Sequence, residues 1–230
     1  MAADAVMPRG LRAVVFDLDG TLLDTLADLS TAVNHALRMH GMPERTLGEV
    51  RAFVGNGVRR LMERSVPEGI GAEAFEQVFD CFKRYYVAHC EEQTRLYDGV
   101  PAMLLELKAR GYRMAIVSNK LQAGVTELYH HYFADTVDVA IGESAGMRRK
   151  PAPDMVERAL AALQVSREEA VYVGDSDVDL ATAHAVGLPC VSVLWGFRDE
   201  DFLREHGATL FAHHPTDIPS LLQPWHATSH

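Results

Sequence analysis

Five aspartates stand in two short groups whose spacing could hold a metal ion. Asp17 and Asp19 are separated by one residue near the start of the chain, and Asp175, Asp177 and Asp179 alternate much later. Gathered into one pocket, these carboxylates would repel one another unless a cation lay among them. Carboxylate oxygens suit a hard ion, and Mg²⁺ is the usual choice where phosphate is handled. The aspartates therefore indicate phosphate chemistry that depends on a divalent cation.

A serine, an asparagine and a lysine add groups that suit a phosphate ligand. Ser118-Asn119 follows a short apolar run, and Lys150 ends a basic one. An attacking carboxylate is repelled by a phosphate dianion, and Mg²⁺ together with Lys150 could offset that repulsion. Attack by Asp17 would form an acyl phosphate, which divides one difficult hydrolysis into two easier transfers. The residue types therefore fit a phosphoryl-transfer site.

Each of these groups also has a purely structural interpretation. The first two aspartates could form a strand-end turn, since Asp-Gly is common there. Ser118-Asn119 could cap the helix that follows, and Lys150 could lie in a solvated loop. Asp177 is best explained as a structural cap for the helix that begins there.

Short apolar runs rich in β-branched residues alternate with helical patterns over most of the chain. Such alternation favours right-handed crossovers and a parallel sheet covered on both faces. Strands are predicted at 12–16, 113–117, 137–141, 170–173 and 190–194, and helices at 26–37, 101–110, 121–132, 154–163 and 177–186. Between about residues 46 and 90 every segment favours helix, with the aromatic residues on one face of the last of these helices. The expected fold is α/β, a Rossmann-like parallel sheet core with an inserted helical cap domain.

The predicted domains follow from this pattern. Residues 1–23 and 98–230 form the α/β catalytic core, and residues 24–97 form the helical cap. Three predicted strands lead to Asp17, to Ser118 and, after Gly174, to Asp175. In open α/β sheets the working groups lie at the carboxyl ends of the strands, so these residues are expected to converge on one edge of the sheet.

Composition limits the classes of function that remain. Of the 230 residues 48% are hydrophobic and 23% are charged, which is the balance of a globular protein. The formal net charge of -10 disfavours nucleic acid as a partner. Three cysteines without metal-ligand spacing, and the lack of a long apolar stretch at the N-terminus or elsewhere, predict a cytoplasmic protein with no membrane partner. The oligomeric state is not encoded in any pattern of this kind.

Four ordered motifs resemble those of the haloacid dehalogenase superfamily. They are DLDGTL at residues 17–22, SN at 118–119, RKP at 149–151 and GDSDVD at 174–179. Each lies at a predicted strand end or in a loop, and together they span most of the chain. A single DxD motif is weak evidence, but four in this order are specific.

The resemblance implies roles for the first two aspartates. Asp17 is expected to be the nucleophile and a Mg²⁺ ligand. Asp19 is expected to act as general acid and then as general base, with its backbone carbonyl facing the metal. Members that remove halide lack a carboxylate at the second position, so Asp19 favours phosphoryl transfer. Phosphonate cleavage is disfavoured, because that branch uses an imine-forming lysine in the cap and the predicted cap contains only Lys83.

The other motif residues take binding roles by the same resemblance. Ser118 and the backbone of Asn119 are expected to hold phosphate oxygens. Lys150 would neutralise the phosphate and the nucleophile. Asp175 would bind Mg²⁺ directly, while Asp179 would hold a metal-bound water or orient Lys150.

A glycine-containing loop between two predicted cap helices is the candidate for substrate selection. The segment 53–61, FVGNGVRRL, resembles the cap loop of bacterial phosphoglycolate phosphatases, and Asn56 or Arg59 could meet a second anion on the substrate. A plain helix-helix turn with an exposed basic face is the alternative. The late segment 195–198, WGFR, lies where such relatives vary, which leaves the substrate open.

The sequence therefore predicts a Mg²⁺-dependent phosphatase that hydrolyses a small phosphorylated metabolite through an aspartyl-phosphate. The leading substrate is 2-phosphoglycolate. Nucleotides, pyrophosphate or sugar phosphates are alternatives, since the core motifs meet only the phosphoryl group. A sugar phosphomutase and a catalytically idle binding protein are the remaining hypotheses.

Overall fold

The computed structural model describes residues 10–222. Residues 1–9, on which part of the argument against an export signal depends, and residues 223–230 lie outside the described part. The chain divides into two compact units. One unit holds the chain up to Leu22 and again from Leu96, and the other is Leu23–Arg95.

The secondary structure alternates as an α/β protein should, with a block of helices after the first strand. In chain order the elements are β1 (Ala13–Phe16), β2 (Leu23–Asp24), α1 (Leu26–Met39), α2 (Leu47–Phe53), α3 (Gly57–Ser65), α4 (Ala72–His89), β3 (Arg95–Leu96), α5 (Val100–Ala109), β4 (Arg113–Leu121), α6 (Gln122–Leu128), β5 (Val139–Glu143), α7 (Asp154–Leu163), β6 (Ala170–Gly174), α8 (Asp177–Val186), β7 (Cys190–Val193), α9 (Glu200–Glu205), β8 (Phe211–Ala212) and α10 (Ile218–Leu221).

The larger unit is built on a six-stranded sheet with the order β5-β4-β1-β6-β7-β8. Every neighbouring pair in this sheet is parallel. The predicted α/β class with a helical insertion, α1–α4, is confirmed. The first strand of the chain therefore lies in the middle of the sheet, with β4 on one side and β6 on the other.

Burial on both faces explains the composition of the central strands. All four residues of β1 are inaccessible to solvent. Alternate residues of β1, β4 and β6 contribute to one apolar cluster, in which they pack with α7 and α8. A strand covered on both sides needs apolar residues at consecutive positions, which is why β1 reads as a continuous apolar run.

The helical unit has its own apolar core. Helix α2 begins with a capping box, in which the side chains of Thr46 and Glu49 each accept a hydrogen bond from the other's backbone N–H. The buried face of α4 carries the residues that the helical spacing predicts: Phe75, Val78, Phe79, Phe82 and Tyr86. Rings four residues apart on this face stack with nearly parallel planes.

Several boundaries differ from the sequence-based prediction, and some short elements were not predicted. Strand β5 begins at Val139 rather than at residue 137, because the backbone N–H of Val137 donates to Phe133 and so closes the preceding turn. The predicted helix 121–132 is an α-helix up to Leu128 followed by a π-helical turn, Tyr129–Phe133. The short late elements β8, α9 and α10 have no counterpart in the prediction. Within the described residues, no helix is both long and apolar enough to cross a membrane.

Candidate active site

Three neighbouring strands deliver polar side chains to the same edge of the sheet. Asp17 follows β1, Ser118 lies near the end of β4, and Asp175 follows β6. The backbone N–H of Asp17 continues the pairing with β6 by donating to the carbonyl of Val173 at 2.9 Å. Because β4, β1 and β6 are adjacent and parallel, their carboxyl ends bring these residues together.

Lys150 lies at the centre of this edge and joins two aspartates. Its Nζ is 2.7 Å from Asp17 Oδ1 and 2.8 Å from Asp179 Oδ1. It also donates to the Tyr172 hydroxyl at 3.1 Å. The Lys150 side chain is 2% exposed, so its charge is compensated by these carboxylates rather than by water.

Asp179 is fixed by hydrogen bonds to both of its carboxylate oxygens. Oδ1 accepts from Lys150 and from the Tyr172 hydroxyl, and Oδ2 accepts from the backbone N–H and the hydroxyl of Ser176. A Cβ at Gly174 would lie 2.4 Å from the Cβ of Asp179, so this strand end admits no side chain. Asp179 therefore sits as a rigid acceptor behind Lys150.

The interpretation of Asp177 as a helix cap is wrong. Ser176 is the N-cap residue of α8, and it forms a capping box with Asp179. Asp177 is the first helical residue, where its carboxylate lies 3.8 Å from Arg198. An N-cap is the residue just before the first turn, whose side chain can accept from the N–H of the third helical residue. In α8 that position is held by Ser176 and not by Asp177.

Asp175 is held by a loop that follows β7. Its Oδ2 accepts from the backbone N–H of Phe197 at 2.7 Å, and its Oδ1 lies 3.4 Å from the Thr21 hydroxyl. The approach is close, since a Cβ at Gly196 would lie 2.3 Å from the Cβ of Asp175. Gly20 has a φ of +89°, and a Cβ there would lie 2.4 Å from Asp175 Oδ2. Both glycines are required for the carboxylate to occupy this position.

The donor set fits a hard metal ion. Asp17, Asp175 and Asp179 each offer a carboxylate oxygen, and these oxygens lie within 4.8 Å of one another. Each oxygen of Asp179 already accepts two hydrogen bonds, one of them from Lys150, which leaves Asp17 and Asp175 as the side chains best able to ligate. The contacts of Asp17 with Lys150 and with the backbone N–H of Leu18 both use Oδ1, so Oδ2 is the oxygen that a cation would meet.

The electrostatics indicate that the cluster lacks positive charge. Burial raises the pKa of Asp17 well above its ordinary value, the charge of Asp179 raises it further, and Lys150 lowers it in part. Burial and then Asp179 raise the pKa of Asp175 to about 7. Burial lowers the pKa of Lys150, but Asp17 and Asp179 raise it more, so it lies well above the usual value. A divalent cation would stabilise the ionised forms of Asp17 and Asp175 and so lower both pKa values.

A second hydrogen-bonded group surrounds Asp19, next to this cluster. The Ser118 hydroxyl donates to Asp19 Oδ2, and Lys120 Nζ donates to Asp19 Oδ1, each at 3.4 Å. Asn119 follows Ser118 and its side-chain amide donates to the carbonyl of Lys150 at 3.1 Å. The structure therefore brings all the predicted core residues to one edge of the sheet.

The two candidate selectivity residues belong to the helical unit. Asn56 is the N-cap residue of α3. Arg59 forms a two-pronged ion pair with Glu76, with both N···O distances at 2.9 Å. Its guanidinium also lies over the rings of Phe75 and Phe79, at 5.3 and 4.8 Å from their centroids. Within this unit Arg59 thus joins α3 to α4.

Comparison with known families agrees with this geometry. A family model described as haloacid dehalogenase-like hydrolase matches residues 14–193, which include every strand end discussed above. The chain belongs to this family. The matched residues of this hydrolase include strands of the sheet and the whole helical insertion, α1–α4.

Curated relatives of this hydrolase are similar over nearly the whole chain. A protein of Cereibacter sphaeroides is 36% identical over 219 residues, which cover 91% of this chain and 97% of the relative, and it is named phosphoglycolate phosphatase. A protein of Yersinia pseudotuberculosis with the same name is 31% identical, with 94% and 95% covered.

Solved structures give the same relationship. A candidate phosphoglycolate phosphatase from Lactobacillus delbrueckii superposes on this hydrolase with a TM-score of 0.88 at 33% identity, covering 92% of this chain and 98% of the other. A predicted phosphoglycolate phosphatase from Haemophilus somnus gives a TM-score of 0.85 at 26% identity, covering 93% and 99%.

Sequence reasoning missed several residues that line the site of this hydrolase. Lys120 stands two positions after Ser118, and a cation so close to the predicted end of the strand was the signal for it. Tyr172 lies in an apolar run, where a tyrosine looks like any other core aromatic. The indole N–H of Trp195 donates to the carbonyl of Thr21 at 2.9 Å, which ties the loop after β7 to the loop after β1.

We expect Mg²⁺ to stabilise this hydrolase more at high pH than at low pH. An unfolded aspartate ionises near pH 4, whereas Asp175 in the metal-free fold stays protonated until about pH 7. Its contribution to metal-free stability is complete below about pH 4 and is lost as pH rises through about 7. Because Mg²⁺ prefers the ionised carboxylate, the difference in stability between the Mg²⁺-bound and the metal-free protein should widen with pH.

The measurement is the difference in Tm between Mg²⁺ and EDTA from about pH 5.5 to about pH 8. The variant Asp175→Asn should give a smaller difference that depends less on pH. A difference that stays constant in the parent protein would contradict the assignment of Asp175 to the cation.

Proposed function

We propose that this hydrolase is a Mg²⁺-dependent phosphatase that cleaves a small phosphomonoester through an aspartyl-phosphate on Asp17. The observation that supports this most is the pairing of Asp17 with Lys150 at 2.7 Å inside a buried cluster of acidic side chains. A buried lysine beside a carboxylate nucleophile supplies positive charge where a phosphate dianion would have to approach. The neighbouring Asp19 and Ser118 supply the proton donor and a phosphate ligand.

In the first half-reaction a carboxylate oxygen of Asp17 attacks phosphorus. Lys150, Ser118 and the backbone N–H of Asn119 bind the phosphoryl oxygens and stabilise the charge that develops on them. Asp19 gives its proton to the leaving oxygen, so that the alcohol departs uncharged. In the second half-reaction Asp19 takes a proton from water, which attacks the acyl phosphate and frees Asp17.

The remaining acidic residues hold the groups that do this chemistry. Asp17, Asp175 and the backbone carbonyl of Asp19 would ligate Mg²⁺, which when bound neutralises charge on the phosphoryl group. Asp179 keeps Lys150 in place through its 2.8 Å ion pair, so its effect on the reaction runs through that lysine.

We propose 2-phosphoglycolate as the leading substrate. The support is the name shared by relatives that are 31–36% identical over more than nine-tenths of this chain. Phosphoglycolate carries a carboxylate next to the phosphate ester, so its selection requires a second cation or hydrogen-bond donor. We assign that role to Arg59 in the first turn of α3, together with Asn56, the N-cap residue of the same helix.

A panel of phosphate esters tests the proposed function. We expect the highest kcat/KM for 2-phosphoglycolate among small phosphate compounds that include a nucleotide, a sugar phosphate and pyrophosphate. Hydrolysis in labelled water should place one labelled oxygen in the released phosphate. Retention of phosphate on a sugar would indicate a mutase, and full activity in EDTA or with Ca²⁺ in place of Mg²⁺ would contradict the metal requirement.

Arg59→Ala is expected to raise KM for 2-phosphoglycolate. Loss of a charge-assisted hydrogen bond to the substrate carboxylate corresponds to about 1.5–3 kcal/mol. Activity on an aryl phosphate, which has no carboxylate, should change much less. The matched control is Glu76→Gln, which removes the ion-pair partner of Arg59 and keeps the cation. If both variants weaken both substrates equally, Arg59 acts by joining α3 to α4 and not by binding substrate.

A further inference from the structure

Lys120 lies beside the proposed proton donor and has no role in the proposed mechanism so far. Its side chain is 7% exposed, and its Nζ donates to Asp19 Oδ1 at 3.4 Å. Its backbone N–H donates to the Ser118 hydroxyl oxygen at 3.1 Å, and that hydroxyl in turn donates to Asp19 Oδ2. Lys120 thus acts on both oxygens of the Asp19 carboxylate, directly on one and through Ser118 on the other.

The surroundings of Lys120 hold this arrangement in place. A Cβ at Gly124 would lie 3.4 Å from Lys120 Cε, so α6 lies directly along the lysine stem. On the other side, a Cβ at Gly142 would lie 2.7 Å from the Lys120 carbonyl oxygen, so β5 approaches the backbone closely. Both the backbone and the stem are therefore confined, which fixes where the ammonium group can point.

We propose that Lys120 is a positioning residue that orients the Asp19 carboxyl group and stabilises its charge as it releases a proton. This inference rests on the proposed phosphatase function. A lysine ammonium can donate but not accept, so it keeps Oδ1 unprotonated. When Asp19 carries a proton we place it on Oδ2, and the bond to Ser118 then reverses, because a hydroxyl can accept as well as donate.

Lys120 would act at the step in which Asp19 transfers its proton to the leaving oxygen. As the Asp17–phosphorus bond forms, the bond from phosphorus to the leaving oxygen breaks and its electron pair stays on that oxygen. The proton on Asp19 Oδ2 moves to the leaving oxygen, and Asp19 becomes a carboxylate. Negative charge thus grows on Asp19 3.4 Å from the ammonium of Lys120, which favours the transition state over the ground state.

This role differs from that of Lys150. Lys150 pairs with Asp17 and Asp179 and would contact the phosphoryl group of every substrate. Lys120 acts through Asp19, so its importance depends on how much the leaving oxygen needs a proton. An alkoxide is a poor leaving group without protonation, whereas 2,4-dinitrophenolate departs as a stable anion.

The test compares Lys120→Met with the parent protein on two esters in saturating Mg²⁺. For 2-phosphoglycolate, or the best alkyl ester of the panel, we expect kcat/KM to fall about 10- to 100-fold. For 2,4-dinitrophenyl phosphate the fall should be less than about threefold. Asp19→Asn should show the same selective pattern with a larger loss on the alkyl ester. Lys108→Met, a change at an exposed lysine on α5, should alter neither substrate.

Equal losses on the two esters would overturn the inference, because they would mean that Lys120 supports folding or binds the phosphoryl group. If Lys120→Met does not fold, as judged by its Tm, the neutral Lys120→Gln provides the same comparison. A parent protein that hydrolyses no ester in Mg²⁺ would defeat the proposed function and the role of Lys120 together. An active parent with an unselective Lys120 variant would defeat the role of Lys120 and leave the proposed function standing.

Discussion

Asp17→Asn is expected to abolish turnover, with a fall in kcat of about 10⁴-fold or more. The amide keeps the shape of the side chain but has no charge with which to attack phosphorus. No acyl phosphate should accumulate, so rapid-quench experiments with labelled ester should show no labelled protein. The effect is large because Asp17 directly follows β1 and pairs with Lys150 at 2.7 Å, while Asp19, the other carboxylate after this strand, is assigned the proton transfers.

The same variant should remain folded. The pKa of Asp17 is raised mainly by burial, then by the charge of Asp179, which means that the fold works against its ionised form. A neutral amide removes that repulsion, although it also weakens the ion pair with Lys150. Asp177→Asn is the matched control at the start of α8, and its kcat should be close to that of the parent. Labelling of Asp17→Asn by substrate would show that another residue is the nucleophile.

Lys150→Met is expected to lower both activity and stability. Removal of one partner from a buried ion pair costs about 3–5 kcal/mol, because the other charges are left without compensation. Here two aspartates, Asp17 and Asp179, lose their shared cation, and the Lys150 side chain is 2% exposed, so little water can replace it. Activity should fall by several orders of magnitude, since Mg²⁺ alone would then offset the repulsion between nucleophile and phosphate.

Chemical denaturation in EDTA measures the stability part of this prediction. The loss should shrink at low pH, because Asp17, whose pKa is raised by burial, is then protonated and no longer needs the lysine. Lys83→Met is the control, since Lys83 pairs with Asp80 on the surface of α4 and such pairs contribute about 0.2–1 kcal/mol. A stability loss that is similar for the two lysines would contradict the buried cluster described here.

The core of the fold was predictable because its signal is local. A strand buried on both faces needs consecutive apolar residues, and β1, β4 and β6 each show them directly before a polar residue. Parallel pairing then leaves little choice about where Asp17, Ser118 and Asp175 lie. The two-residue strand β8 carries no such signal, because two residues cannot display a period.

Contacts between distant residues could not be predicted in the same way. Arg59 was predicted from the segment 53–61 that contains it, but its ion pair with Glu76 depends on how α3 packs against α4. Lys120 meets Asp19 only because β4 lies beside β1, and the two residues are 101 positions apart in the chain. Tyr172 lies within the apolar strand β6, and its hydroxyl meets Lys150 although the two residues are 22 positions apart in the chain.

The position of β1 in the middle of the sheet also determines which unfolding events can disrupt the site. Its backbone amides are bonded to strands on both sides, and the N–H of Asp17 donates to Val173. Amides of this kind exchange with solvent only through opening of the whole core, whereas loop amides exchange through local fluctuations. The strand that carries the proposed nucleophile therefore belongs to the last part of the molecule to open, and local fraying leaves it in place.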